Sequence, residues 1–207
     1  LTDSDWSVKL KLASEQEPDG VWLKLPDYAD VTGWPDEIRI ALDALGVRRI
    51  EECTLLEAKC ILPEVSGIAE QYDHIGDLIY DGQNLGFALD EQGQGMPHFM
   101  ERFMAALQYE ECHTLEGAVD ISQNLDCYDF FTKDGLRDYA MQELRRQDFS
   151  YGESLLVDCV DLEAFATDLL KQRGFHLNKN ENAFIARNNK PFIPVHDNPK
   201  LMDLVME

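Results

Sequence analysis

Glu70, Asp73, Asp77 and Asp81 follow one another at intervals of three, four and four residues. On an α-helix that spacing lines a single face with carboxylates. Glu116 with Asp120, and Asp134 with Asp138, repeat the interval of four. Like charges so placed destabilise a helix by roughly 0.2–0.5 kcal/mol per pair, and solvated helices usually interleave Lys or Arg. Rows of this kind suit three chemistries: holding a divalent cation, exchanging protons with a substrate, or presenting negative charge to a basic partner. The Asp-rich stretches lack the spacing and central glycine of an EF-hand loop, which leaves weak divalent binding by Asp73, Asp77 or Asp81 as the cation option. Proton exchange needs a pocket and a substrate handle, and no motif supplies either.

Other reactive residue types are scattered. There is no G-x-x-x-x-G-K-[ST], H-E-x-x-H, G-x-S-x-G or G-x-G-x-x-G pattern, and Gly93-Gln94-Gly95 is only a fragment of one. His74, His98, His113, His176 and His196 stand apart from one another and read as surface or packing residues. Cys53, Cys60, Cys112, Cys127 and Cys159 are odd in number and contain no C-x-x-C pair. They read as reduced, mostly buried thiols. The expectation is a protein without catalytic residues, metal or cofactor, acting by binding.

Charge is the more informative signal. Forty Asp plus Glu stand against 18 Lys plus Arg, a formal charge of -22. A surface of that sign repels nucleic acid and anionic membranes and attracts cations or proteins with basic binding surfaces. Residues 1–60 hold 13 acids and 7 bases, residues 61–170 hold 23 and 5, and residues 171–207 hold 4 and 6. Between Lys59 and Lys133 the only basic side chain is Arg102, against 14 acids. At about 1.7 Å of duplex axis per phosphate charge, the net charge corresponds to about 37 Å of DNA. One helical row, advancing about 6 Å per four residues, is too sparse to imitate a duplex, so rows on neighbouring helices or on two copies are needed. Solubility, salt adaptation and ordinary solvation explain the same composition.

The elements that must position these acids can be read from periodicity. Residues 7–13 and 20–25 alternate apolar and polar, with turn chemistry at Glu17-Pro18-Asp19-Gly20. Pro35 stands at a first helical position, Asp36 and Glu37 fill the first turn, and Gly46 stops the helix. A β-leaning run over 50–62 closes this unit. Residues 66–124 then read as helical. Met96, Phe99, Met100, Phe103, Met104 and Leu107 form a core stripe there, and a second helix follows Thr114. The remainder mixes a short element over 125–131, helices near 134–146 and 161–172, and a hairpin over 174–187 around Asn178-Lys179-Asn180. With 44% hydrophobic residues the chain can bury a core. No apolar run approaches the roughly 20 residues that span a bilayer, and residues 1–5 lack a leader pattern, so a cytoplasmic protein is expected.

Several stretches resemble the ArdA antirestriction family in its gut Firmicutes form. Leu12-Ala13 followed by Gly20-Val21-Trp22-Leu23-Lys24-Leu25-Pro26 is similar to the family's opening hairpin. Asn124-Leu125-Asp126-Cys127-Tyr128-Asp129-Phe130 resembles its N-L-D-x-Y-D-F segment, the most specific match. Leu136-Arg137-Asp138-Tyr139-Ala140-Met141-Gln142-Glu143 is similar to L-G-R-Y-L-V-D-E, residues 158–169 are similar to F-D-Y-E-A-Y-G-R-D-L, and Gly174-Phe175 through Ala186-Arg187-Asn188 to the closing hairpin. The chain departs from the family where Ser14-Glu15-Gln16-Glu17-Pro18 replaces a Tyr-Asn-x-Gly element, and in the tyrosines and glycine missing from 158–169.

The resemblance implies an elongated α+β protein of three small subdomains: an N-terminal hairpin and helix unit (1–63), a central helical unit (64–124) and a C-terminal α+β unit (125–207). It also implies a homodimer that mimics bent DNA and occupies the DNA-binding groove of type I restriction-modification enzymes on behalf of a mobile genetic element. The acids expected to form the mimic surface are those without basic neighbours: Glu70, Asp73, Asp77, Asp81, Glu116, Asp120, Asp126, Asp129, Asp134 and Asp138. Asp126 and Asp129 would equally well cap or hydrogen-bond within a turn. Asp158, Asp161, Glu163 and Asp168 form a second group. Two alternatives stand beside this one: an acidic module of the same fold for another basic protein, and a metal-binding hydrolase.

Overall fold

The structure is a computed structural model that describes residues 6–29, 36–93, 95–146 and 160–194. Helices and two small antiparallel sheets make it an α+β fold of several small units. The chain gathers into two compact units, one from Leu1–Met100, Glu111–Asn124 and Ile193–Glu207, the other from Glu101–Glu110 and Leu125–Phe192.

In the first unit, alternation produces strands β1 (Val8–Ala13) and β2 (Val21–Leu25), with Val8, Leu10, Leu12, Leu23 and Leu25 buried. The two strands pair antiparallel around a turn closed by Gly20, whose φ of 73° only glycine adopts readily. Strand β3 (Thr54–Cys60) pairs on the other side of β1, giving the order β2-β1-β3. The run read as β over 50–62 is therefore shorter than expected, because Ile50–Glu52 forms a 3-10 turn closed by Cys53 N donating to Ile50 O. Helix α1 (Glu37–Leu45) begins two residues later than the sequence suggested. Asp36 is its cap, accepting from Arg39 N at 2.7 Å, and Gly46 ends it in the left-handed region. Pro35 lies outside the described residues.

Helix α2 (Ile75–Gly93) packs on β1 and β2 through a notch of missing side chains. A Cβ on Gly86 would lie 2.3 Å from Pro26 Cδ, and one on Gly82 would lie 2.7 Å from Leu25 Cδ1 and 3.1 Å from Val8 Cβ. The Ser7 hydroxyl donates to Gly82 O at 2.7 Å across the same contact. Asp27 completes the joint. Its buried carboxylate accepts from Ala29 N and Ile38 N at 3.0 Å, which ties the end of β2 to the start of α1. Its backbone N donates to Gln83 Oε1 at 2.7 Å while its carbonyl accepts from Gln83 Nε2, which ties the same loop to α2.

Two more helices follow, α3 (Phe99–Tyr109) and α4 (Leu115–Gln123), the latter packed on α2. Of the methionine and phenylalanine stripe, Phe99, Phe103 and Leu107 are buried as core residues, whereas Met100 is 45% exposed and Met96 precedes the helix. The expected continuous stripe is therefore interrupted at its start.

The second unit carries strands β4 (Tyr128–Thr132), β5 (His176–Leu177) and β6 (Ala183–Arg187) in the order β4-β6-β5, all antiparallel. Helices α5 (Leu136–Arg146) and α6 (Leu162–Gln172) enclose a core of Leu136, Tyr139, Ala140, Leu162, Ala166, Leu170 and Phe184. The β5–β6 turn is built by Asn178, whose buried amide oxygen accepts from Asn182 N and Ala183 N at 3.0 and 3.1 Å. No helix among the described residues is long and apolar enough to cross a membrane.

The glycine notch gives the first prediction. Gly86→Ala forces the Pro26 ring and α2 apart, and such overpacking costs about 1–3 kcal/mol. Urea unfolding should show the midpoint lowered accordingly, whereas Gly76→Ala, which meets nothing within 4 Å, should not lower it.

Candidate functional site

Tyr72 organises the acids of the first unit. Its hydroxyl donates to Asp81 Oδ2 at 2.5 Å, and Glu116 and Asp77 lie close enough to act on it electrostatically. Burial first, then the hydrogen bond and charge of Asp81, then Glu116 and Asp77, push the phenol far above its ordinary range, so it remains a donor. Gln71 beside it fixes the start of α4. Its Oε1 accepts from Leu115 N at 2.9 Å, and its Nε2 donates to Ser66 O and His113 O at 2.9 and 3.2 Å. Thr114 caps the helix by accepting from Gly117 N.

These contacts revise the expected row of four. Glu70 ends the 3-10 turn Ile68–Glu70, Asp73 precedes α2, and only Asp77 and Asp81 share the helix. Asp81 is 3% exposed, because α2 turns it toward Tyr72, so it supports the surface from beneath and does not belong to it. Glu70, Asp73 and Asp77 are exposed. On α4, Glu116 is exposed and Asp120 is half-buried. The part of this unit after the sheet, residues 61–100 and 111–124, holds seven plus three acids and neither Lys nor Arg.

In the second unit Asp134 lies in the 3-10 turn Lys133–Gly135 and Asp138 in the first turn of α5, so their interval of four is not realised on one helix; both are exposed. Asp161 caps α6 by accepting from Ala164 N at 3.0 Å, Glu163 sits in its first turn, and Asp168 is exposed further along. Asp158 lies outside the described residues. Asp126 and Asp129 have basic neighbours after all, Lys190 from beyond β6 for the first and Arg102 on α3 for the second. Lys190 Nζ reaches Asp126 Oδ2 at 3.1 Å, Asn188 Nδ2 donates to Asp129 Oδ1 at 3.3 Å, and Asp129 acts electrostatically on Arg102.

Helix polarity accounts for the repulsion these acids tolerate. Asp77, Glu116, Asp138 and Glu163 all lie in helical first turns, where the positive end of the helix dipole favours an anion by typically 0.3–1 kcal/mol. Several basic side chains of the second unit are engaged within it. Arg187 pairs with Glu110 at 2.7 Å, and Arg173 and Arg146 pair with Glu143 at 2.6 and 2.7 Å. Glu70, Asp73, Asp77, Asp134, Asp138, Glu163 and Asp168 form no ion pair among the described residues.

Spacing alone reveals only one partner of Glu143, Arg146 three residues on; Arg173, which donates to both Glu143 and the Tyr139 hydroxyl, reaches it only when α6 folds onto α5. The hydrogen bond from Arg173 holds its carboxyl below the usual Glu value, against the opposing effect of burial.

Three of the thiols do not suit nucleophilic chemistry. Burial pushes Cys60 up to about 11 and raises Cys53 and Cys127 as well, which keeps them protonated. Cys127 is buried, while Cys53, Cys60 and Cys112 are only half-buried, less than the sequence suggested; Cys159 lies outside the described residues. Among the described residues no three His, Cys, Asp or Glu side chains converge to hold a metal ion. No protein-family model matches the chain, and neither a curated protein nor a solved structure matches it.

The Glu143 clamp predicts an acid limb of stability. Its folded pKa lies below the unfolded value, so its contribution is present above the ordinary Glu range and is lost as pH falls through the folded pKa. Denaturant midpoints followed downward from pH 6 should fall more steeply for the wild type than for Glu143→Gln, which should also be less stable at neutral pH.

Proposed function

We propose that this protein is a DNA-mimic antirestriction protein of the ArdA kind, occupying the DNA-binding groove of a type I restriction-modification enzyme without performing chemistry. The observation that carries this reading is the stretch 61–100 and 111–124 of the first unit. It holds ten acids and no Lys or Arg, with Glu70, Asp73 and Asp77 exposed and outside any ion pair among the described residues. Asp134, Asp138, Glu163 and Asp168 give the second unit the same character.

A groove built for DNA lines itself with Lys and Arg to meet phosphates. Carboxylates held by folded helices answer those cations equally well, and they bring a less costly ordering step than a flexible acidic tail would. The net charge of -22 speeds encounter with such a groove and makes occupancy fall as salt screens it. A homodimer, which this reading includes, doubles the array and helps to reach the charge density of a duplex.

Competition tests the proposal. Purified protein should displace a fluorescent duplex from a type I methyltransferase core, with displacement weakening as salt rises. Glu70→Lys with Asp73→Lys, both outside α2, should raise the concentration for half displacement by about tenfold, which corresponds to about 1.4 kcal/mol. Absence of displacement from several such enzymes at low salt would refute the inhibitor reading and leave an acidic module for another basic protein.

A further inference from the structure

The whole-chain charge conceals a local exception. The sheet of the first unit turns Val8, Leu10, Leu12, Leu23 and Leu25 inward, and its other face carries Lys9, Lys11, Lys24, Lys59, Glu57 and Trp22. Register places Lys24, Lys9 and Lys59 side by side across all three strands, with Trp22, Lys11 and Glu57 in the adjoining row. These four lysines are more than half of the seven basic residues in positions 1–100. Like charges directly opposite one another weaken a sheet, and a chain with 40 acids had carboxylates to place there instead. Among the described residues Glu57 pairs only with Lys59, at 2.7 Å.

Tryptophans are interleaved with the cations. Lys9 Nζ lies 5.0 Å from the Trp6 ring and 4.8 Å from the Trp22 ring, and Lys59 Nζ lies 5.2 Å from Trp22. Trp22 nevertheless remains 38% exposed in the middle of this basic face. We propose that the face binds single-stranded nucleic acid, with the lysine row taking phosphates and Trp22 and Trp6 stacking on unpaired bases. Ammonium groups on a strand lattice of about 5–7 Å pitch, with aromatic rings among them, are what a phosphodiester strand with free base faces requires. A duplex hides its base faces and would bring denser charge toward the acidic surface. An acidic protein would use the lysines but would leave the exposed indole without a counterpart. The long-range repulsion of the other acids is screened beyond about 8 Å at physiological salt.

The residues concerned are distinct from the acids of the proposed mimic surface, so the two readings stand or fall separately. The test is a titration of intrinsic tryptophan fluorescence in the full chain with an oligo-dT strand of about 15 nucleotides, and in parallel with polyglutamate. Oligo-dT should quench the signal, with a log–log salt slope of about -2 to -3 for three to four phosphates. Lys24→Glu with Lys59→Glu, both exposed, should weaken binding at least about tenfold, and Lys24→Gln with Lys59→Gln should weaken it less. Trp22→Ala should lose affinity that Trp22→Phe retains. No quenching at about 50 mM salt, or unchanged affinity in a double lysine variant with native circular dichroism, would overturn the proposal. Polyglutamate binding as tightly as oligo-dT would overturn it in favour of an acidic protein partner.

Discussion

The first unit depends on how closely α2 can approach the sheet. Two β-carbons are absent where they would strike Pro26 and Leu25, and this lets the helix backbone settle onto the strand ends, with Ser7 bonded to Gly82 O. Once α2 is seated, Gln83 grips the backbone of Asp27, and Asp27 in turn holds the start of α1. The turn that enters α2 brings Tyr72 over Asp81, and Gln71 then positions α4. The exposed acids are therefore carried by a chain of packed contacts that begins with two missing side chains.

Much of this was legible in advance. Alternation marked β1 and β2, Gly46 marked the end of α1, and the asparagine turn marked the β5–β6 hairpin, because each of those signals is local. The candidate surface was less legible. Spacing alone could not reveal that α2 starts after Asp73, that Asp81 faces inward, or that Lys190 returns to Asp126. Intervals of four carry meaning only inside one helix, and helix starts are set by capping and tertiary contacts such as those of Gln71. The Glu143 clamp and the row of three lysines escaped notice for a related reason. Each is created by register or by helix packing between residues far apart in the chain.

The distribution of charge follows from structure as much as from composition. The second unit pairs several of its cations with Glu143 and Glu110, and so leaves exposed acids unanswered. The first unit has no Lys or Arg at 61–100 or 111–124, and four of the seven in positions 1–100 lie on one face of its sheet. A chain of uniform sign on paper is thus a patterned object, with surfaces of opposite character held by different elements.

Placing acids at helical first turns has an evolutionary consequence. Asp77, Glu116, Asp138 and Glu163 each complement a helix dipole, so drift toward neutral or basic residues there is opposed by the folding of the chain itself. A descendant that no longer met a basic partner would still be selected to keep these carboxylates. Acidity at such positions is inherited with the helices whether or not a basic partner exists, whereas Glu70 and Asp73, outside those turns, are free to change first.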